Sequence, residues 1–381
     1  MKRKVVSFLL LVVAIAAGIY GGILFYRSHS RPAIEKALDS GKPSVGLILL
    51  QEDLSQSKSL KAISVVQILP NQKKVAFYSF FPQMKLSEDT DSLITIFAED
   101  GSETLAEVLG KALNLTIDWT IRLDDTFFVH LVDLVEGIPW FFSKDFLMQK
   151  ETLPTGEFIL DGSLVRKVLH PPVSNSTAPA FELFRYYSFL LNAREDANRI
   201  FPILLTKPIL GSLYKKVQST LSKREVYAIL SYLKSHSPFY PFFLELPVKV
   251  YESKFLLDRE TASLYLGKFR RLLEKKFRME DRFPKVEVKN GTYHAGLARK
   301  LREKLSRLGL KVLEFSNADR HNYKQSVLID VSAMPIYSDV LQKQLGLSRA
   351  YHLIDRSLFT DMIIIAGEDY KNLKFERGHY E

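Results

Sequence analysis

Apolar residues along this 381-residue chain recur with changing period, and each change marks a step in its organisation. Val5 to Tyr26 is apolar almost without break, behind Lys2, Arg3 and Lys4. At a 1.5 Å rise per residue, about 20 such residues cross a hydrocarbon core. Ala14-Ile15-Ala16 also fits the cleavage site of a short leader. The run stays apolar through Gly22, Ile23, Leu24 and Phe25, however, which favours an uncleaved anchor over residues 1–30. Arg27 and Arg31 behind the span leave only a slight positive-inside bias. No later span is expected, because Pro202, Lys207 and Pro208 break the run Phe201–Leu213. The expected topology is one anchor, with everything after about residue 30 outside the cytoplasm.

After the polar stretch Ser28–Ser44, Val45–Leu50 reads as a strand. Ile63–Leu69 and Lys74–Phe81 form a hairpin about Pro70-Asn71-Gln72. Leu105, Val108, Leu109 and Ala112 have helical spacing, which predicts a helix over Glu103–Leu113 with Ser102 as its cap. Trp119–Leu123 alternates as a strand, and Asp125–Val135 places Phe127, Phe128, Leu131 and Leu134 on one helical face. Strands and helices alternate from the start, so the fold class is α/β. Leu160–Leu213 reads as aromatic and irregular, with a loop at Pro171–Pro179. Helices are expected at Lys223–Ser235 and Arg259–Phe277. Beyond a boundary at Met279–Pro284, strand Lys285–Lys289, helix His294–Leu308 stopped by Gly309, strands Leu310–Phe315 and Ser326–Val331, helix Pro335–Leu345 and strand Asp361–Ala366 make a βαββαβ module. The expected units are 1–30, 45–280 and 284–373.

Composition narrows the chemistry. There is no cysteine, which excludes disulfides, thiolate nucleophiles, Cys-ligated zinc and iron–sulfur clusters. The net charge is +10, and residues 207–282 alone hold 16 Lys+Arg against 8 Asp+Glu. Most of that charge is expected on solvated helix faces. Outside the cytoplasm, anionic lipid headgroups or phosphate-bearing glycopolymers are better partners for it than nucleic acid. Glu52, Asp53, Asp124 and Asp125 are candidate metal ligands, although Asp124-Asp125 also fits a turn and helix cap. His170, followed by two prolines with no Asp or second His near it in sequence, reads as a loop histidine. Phe77–Phe81, Trp140–Phe142 and Phe181–Leu191 fit either core or a groove for an isoprenoid chain.

The C-terminal module resembles the LytR C-terminal domain through Val288-Lys-Asn-Gly-Thr292, Ala295-Gly-Leu-Ala298, Leu305, Gly309, Asn317-Ala-Asp319 with Tyr323, Leu345-Gly346 and Gly367-Glu-Asp-Tyr370. Residues 45–275 resemble the catalytic domain of the LytR-CpsA-Psr family. Leu47–Asp53, Val65–Ser79, Leu131-Val-Asp-Leu-Val-Glu-Gly-Ile138, Leu160-Asp-Gly162, Asp196-Ala-Asn-Arg199, Leu221–Val226 and Glu245-Leu-Pro247 carry that resemblance. It implies a central mixed sheet, a place in the bacterial cytoplasmic membrane, and transfer of polyprenyl-pyrophosphate-linked glycopolymer to the cell wall. Such phosphoryl chemistry needs a metal such as Mg2+ on the diphosphate and arginines on its oxygens.

Several positions depart from the family pattern. Asp53 matches a metal-side aspartate, but the second falls on Lys61. A Pro-Arg-Asp motif reads Phe81-Pro82-Gln83, an arginine pair falls on His170 and Pro172, and of a later pair only Arg199 remains beside Pro202. The resemblance therefore implies Asp53 at a metal or phosphate, Lys61 in place of the ion's charge, and Arg199 on the diphosphate. Two functions stay open: a glycopolymer phosphotransferase, and a non-catalytic scaffold binding lipid or wall polymer.

Overall fold

The structure, a computed structural model, describes residues 31–54, 60–147, 152–170, 180–252, 254–277 and 283–375. The anchor expected over 1–30 and the Pro171–Pro179 loop lie outside the described residues, as does most of the Met279–Pro284 boundary. Among the described residues, no helix is long and apolar enough to cross a membrane.

In chain order the larger domain runs α1 (Ala33–Asp39), β1 (Ser44–Gln51), β2 (Leu60–Leu69), β3 (Lys74–Phe80), β4 (Met84–Lys85), α2 (Leu93–Leu113), β5 (Trp119–Leu123), α3 (Asp125–Leu134) and β6 (Ile138–Phe142). It continues through β7 (Phe146–Leu147), β8 (Thr152–Leu153), β9 (Gly156–Leu160), α4 (Gly162–Leu169), α5 (Ala180–Glu195), α6 (Ala197–Leu204), α7 (Lys207–Tyr214), β10 (Val217–Ser219) and α8 (Lys223–Ser235). The last elements are β11 (Tyr240–Glu245), β12 (Val248–Tyr251), β13 (Lys254–Leu257) and α9 (Arg259–Glu274). Six strands make the central sheet in the order β10-β5-β1-β2-β3-β11. It is mixed: β1 pairs parallel to β5 but antiparallel to β2, and β11 is parallel to β3.

β1 is apolar at successive positions because both faces of the sheet are covered. Leu47 and Leu49 point into one core with Ile63, Val65 and residues of α2 and α9. Ile48 and Leu50 point to the other side, under α3 and α5 to α8. Gly46 admits Trp119, whose ring lies where a Cβ would stand and whose Nε1 donates to Ser44 Oγ at 2.9 Å.

Local signals set many boundaries. Ser222 and Glu225 close a capping box on α8. Asp124 caps α3 by accepting from Thr126 N at 2.9 Å. The expected helix over Glu103–Leu113 begins ten residues earlier, at Leu93, and Gly101 kinks it at a φ of 85°. Leu160–Leu213 is largely helical rather than irregular, containing α4 to α7. α5 hid because it is buried on several sides, polar Ser188 and Asn192 included, so it shows no single apolar stripe. The polar stretch before β1 contains α1, which buries Leu38 against Ile68, Tyr232 and Phe239.

The C-terminal module runs β14 (Lys285–Asn290), α10 (Leu297–Arg307), β15 (Lys311–Asn317), β16 (Val327–Asp330), α11 (Pro335–Leu345), β17 (Ala350–His352) and β18 (Met362–Ala366). Its sheet has five strands, in the order β15-β14-β18-β16-β17, not the four of the expected βαββαβ order. The added β17 is three residues long, too short for a period to register, and pairs parallel with β16.

The module docks on the C-terminal half of α5. Asn192 exchanges bonds with the backbone of His352, its Nδ2 donating to the carbonyl at 2.7 Å and its Oδ1 accepting from the amide at 3.1 Å. Arg194 makes two bonds to Asp339, at 3.0 and 2.5 Å, and Arg349 donates to Asp196 at 2.6 Å. His352 is wholly buried, with Nδ1 3.0 Å from Asp330 and Nε2 3.2 Å from Glu195. Burial alone would pull its pKa down, but hydrogen bonds to the two carboxylates outweigh that and hold it at about 9.

A raised folded pKa gives stability that is complete below the unfolded value near 6.5 and lost as pH rises through about 9. His352→Ala leaves the wholly buried Asp330 carboxylate without its charged partner and is expected to cost about 3–5 kcal/mol at pH 6. Urea denaturation of both proteins should show that gap narrowing by pH 9.5. A gap that stays constant across the range would remove the charge from the account.

Candidate functional site

On the α3/α5 side of the sheet the packing is incomplete. A cavity of about 440 Å³ lies there, walled by Ile48, Leu50, Phe128, Tyr186, Leu190 and Leu213 among others, almost all apolar. A well-packed interior holds few voids larger than a water molecule. This one has the size and lining of a site for an apolar ligand.

A polar cluster stands at the edge of the cavity, placed there by a sheet irregularity. Leu50 pairs with Ala62 and Gln51 with Leu60, so Lys61 is an extra residue in β2, a bulge. Leu60 and Ile63 both face the first core, while Ala62 lines the cavity beside Lys61. Without the bulge, strand alternation would send the two to opposite faces. The Lys61 ammonium lies 3.5 Å from Asp125 Oδ2 and 3.3 Å from His170 Nε2. His170 Nε2 is also 2.8 Å from Asp125 Oδ1 and 2.7 Å from the Tyr186 hydroxyl. That nitrogen either donates to Asp125 or accepts from Tyr186. Burial pushes the Asp125 carboxyl up, but the hydrogen bond and charge of His170, the Lys61 charge and the Tyr186 hydroxyl outweigh it and hold Asp125 below its ordinary value.

A second groove, of about 230 Å³, adjoins the cavity at Ala62 and Leu183 and contains Lys61, Ser79, Phe81, Glu245 and Val250. Glu245 Oε1 is buried there without a hydrogen-bond partner. Burial raises its carboxyl from 4.5 to about 7, against the lowering charge of Arg356.

The residues named from sequence do not all converge. Lys61 reaches the site. Asp53 is close by, since the amide of the next residue, Leu54, donates to Asp124 at 3.4 Å. Arg199 is elsewhere: its guanidinium bonds the carbonyls of Val135 and Gly137 and the Asp196 carboxylate. Val135 follows the C-terminal end of α3 and Asp125 begins it, so about ten residues at 1.5 Å, roughly 15 Å, separate the two. There Arg199 serves orphan carbonyls at a helix end. His170 lies just past the end of α4, at the start of the loop, and is a partner of Asp125, 45 positions away in sequence. Asp125, expected in a solvated turn, is buried, and only Asp124 acts as the cap.

Magnesium at this cluster would have to displace the Lys61 ammonium from the Asp125 carboxylate. Among the described residues no three His, Cys, Asp or Glu side chains converge as metal ligands. The Asp125 carboxylate already faces an ammonium, which would repel a divalent ion.

Comparison with known proteins agrees with the architecture. The family described as LytR cell envelope-related transcriptional attenuator matches residues 284–370, so the C-terminal module is a LytR C-terminal domain. Among solved structures, a transcriptional regulator of Enterococcus faecalis is 17% identical, with 64% of this chain and 92% of that one covered at a TM-score of 0.50. A Streptococcus agalactiae protein is also 17% identical, covering 64% and 91% at a TM-score of 0.50. Bacillus subtilis TagV is 15% identical, covering 62% and 99% at 0.48. At such identities the first two show a shared fold. No curated protein matches the chain by sequence.

Glu245 offers a direct test of the second groove. A raised carboxyl destabilises the fold as pH climbs from 4.5 towards about 7. Glu245→Gln should therefore be near neutral at pH 4.5 and stabilise the protein at pH 8, by up to about 3 kcal/mol at 1.36 kcal/mol per pKa unit. Urea denaturation at the two pH values reads this difference directly. An equal effect at both would mean that the carboxyl is not charged against its surroundings.

Proposed function

We propose that this is a membrane-anchored envelope protein on the outer side of the bacterial cytoplasmic membrane. It binds a polyprenyl-linked glycopolymer and takes part in attaching that polymer to the cell wall. The observation that carries the reading is the apolar cavity of about 440 Å³ with a half-buried ammonium, Lys61, at its edge. An isoprenoid chain asks for apolar volume, and each buried CH2 contributes about 0.8 kcal/mol. Its phosphate asks for a cation at the end of that volume. The shared fold, the LytR C-terminal domain and the order of matching motifs support the same assignment.

Binding without turnover is the form the geometry favours. Each charge-assisted contact to phosphate is worth roughly 1.5–3 kcal/mol, and Arg199 is committed to backbone carbonyls at the far end of α3 from Asp125. One observation speaks for transfer instead. The His170–Asp125 pair, 2.8 Å apart, has the form of a general base able to take a proton from an acceptor hydroxyl.

One experiment separates the two forms. The full-length protein in nanodiscs is mixed with geranylgeranyl pyrophosphate, and both binding and release of phosphorylated product are followed. Binding without product is expected, and Lys61→Ala should weaken it about tenfold. Product formation abolished by His170→Ala would establish the transferase. Absence of binding would sink the cavity reading.

A further inference from the structure

A second organised surface lies at one edge of the C-terminal module. β14 runs parallel to both β15 and β18, so three adjacent strands end together, at Asn290, Asn317 and Ala366. Ligands of α/β sheets bind among the loops outside such carboxyl ends. The strand order β15-β14-β18 puts the loop after β14 between the other two. Tyr293 and His294 are consecutive in that middle loop and turn to opposite neighbours. The Tyr293 ring lies 5.5 Å from His321 of the β15 loop, and the His294 ring 5.3 Å from Tyr370 after β18. His294 Nε2 is also 3.5 Å from Glu368 Oε2. A row of four rings thus crosses three loops, and Tyr293 in its middle is 83% exposed.

A lone exposed tyrosine says little, but this one stands on a built frame. Asn290 Oδ1 accepts from the Thr292 amide at 3.1 Å and its hydroxyl at 2.9 Å, while Asn290 Nδ2 donates to the His294 carbonyl at 3.0 Å. The Tyr323 amide donates to the Gly291 carbonyl at 3.1 Å, and the Tyr323 carbonyl accepts from the Glu368 amide at 2.9 Å. On the larger domain's side, the Arg320 guanidinium lies where a Cβ on Gly156 of β9 would stand. The three loops are therefore fixed to one another before any ligand arrives, which lowers the ordering cost of binding. Charge narrows the ligand. Residues 291–296, 318–325 and 367–372 together hold Arg320, Lys324 and Lys371 against Asp319, Glu368 and Asp369, a balance of zero in a chain of +10. A polyanion finds no excess of positive charge there. Exposed ring faces edged by a carboxylate and an imidazole suit a neutral molecule with an apolar face and a rim of hydroxyls.

We infer that this row of rings is a binding face for a neutral saccharide unit of a glycan. Tyr293 stacks against the C–H face of the sugar, Glu368 accepts from its hydroxyls, and His294 and His321 flank it. The inference does not depend on what fills the apolar cavity, and no covalent step is involved.

The test is calorimetric titration of the full-length protein in nanodiscs, against empty nanodiscs, with chitotetraose, cellotetraose and maltotetraose as neutral probes and dextran sulfate as a polyanion. Wild type, Tyr293→Ala and Tyr293→Phe are compared, with thermal unfolding measured alongside. At least one neutral oligosaccharide is expected to bind, with an affinity that about 0.5 M salt leaves unchanged. Tyr293→Ala should weaken it about tenfold without moving the unfolding midpoint, because the side chain projects into solvent. Tyr293→Phe, which keeps the ring, should recover most of the loss. Failure of all three neutral probes to bind wild type would overturn the inference, as would equal affinity in wild type and Tyr293→Ala. A loss accompanied by a lowered midpoint would also overturn it, by making Tyr293 structural. Binding of dextran sulfate alone, weakened by salt and indifferent to Tyr293→Ala, would reassign the surface to polyanions.

Discussion

His352 has no exposed surface, yet each of its ring nitrogens faces a carboxylate from a different domain: Asp330 of the module and Glu195 at the end of α5. A charge this deep is tolerable only when paired and hydrogen-bonded, so its geometry admits little sliding between the domains. Asn192 repeats the constraint through the backbone of His352, and Arg194 and Arg349 extend it over the neighbouring surface. The orientation of α5 follows from this docking. The same helix, on its other faces, walls the apolar cavity with Leu183, Tyr186, Tyr187 and Leu190. Module and cavity are therefore joined through one rigid element.

The cavity in turn depends on the two-faced sheet. Alternate residues of β1 divide between a filled core and an unfilled space, so the sheet is rigid on one side and receptive on the other. The bulge at Lys61 then breaks the alternation where an ammonium is needed beside apolar volume. Burying that ammonium is acceptable because Asp125 lies 3.5 Å away, and Asp125 is held ionised by His170 and Tyr186. Each member of the cluster makes the next one affordable in a poorly solvated place.

This chemistry differs from the pattern that the sequence resemblance implies. That pattern expects a metal and several arginines around a diphosphate, whereas here a lysine–aspartate pair occupies the position beside the cavity. Arg199, the surviving family arginine, ties the end of α3 to the turn before β6. The charge that remains beside the cavity and its adjoining groove comes from Lys61.

Elements whose signals are local were legible in the sequence. α8, α11 closed by the left-handed Gly346, and β5 appear at the residues their patterns mark. The α/β class, the mixed sheet and the LytR C-terminal domain followed from the order of such elements and from motif matches. What escaped depends on partners far along the chain. α5 shows no single stripe because it is covered on several sides, and β17 is a strand only because β16 lies beside it. His170 becomes a partner of Asp125, 45 positions away, only once the chain between them has folded, and Arg199 is withdrawn from the site by carbonyls more than 60 positions away. Periodicity and capping are properties of neighbours in sequence, so the sequence by itself determined the elements and their class. Which side chains share a cavity is a property of neighbours in space, and only the tertiary structure decided it.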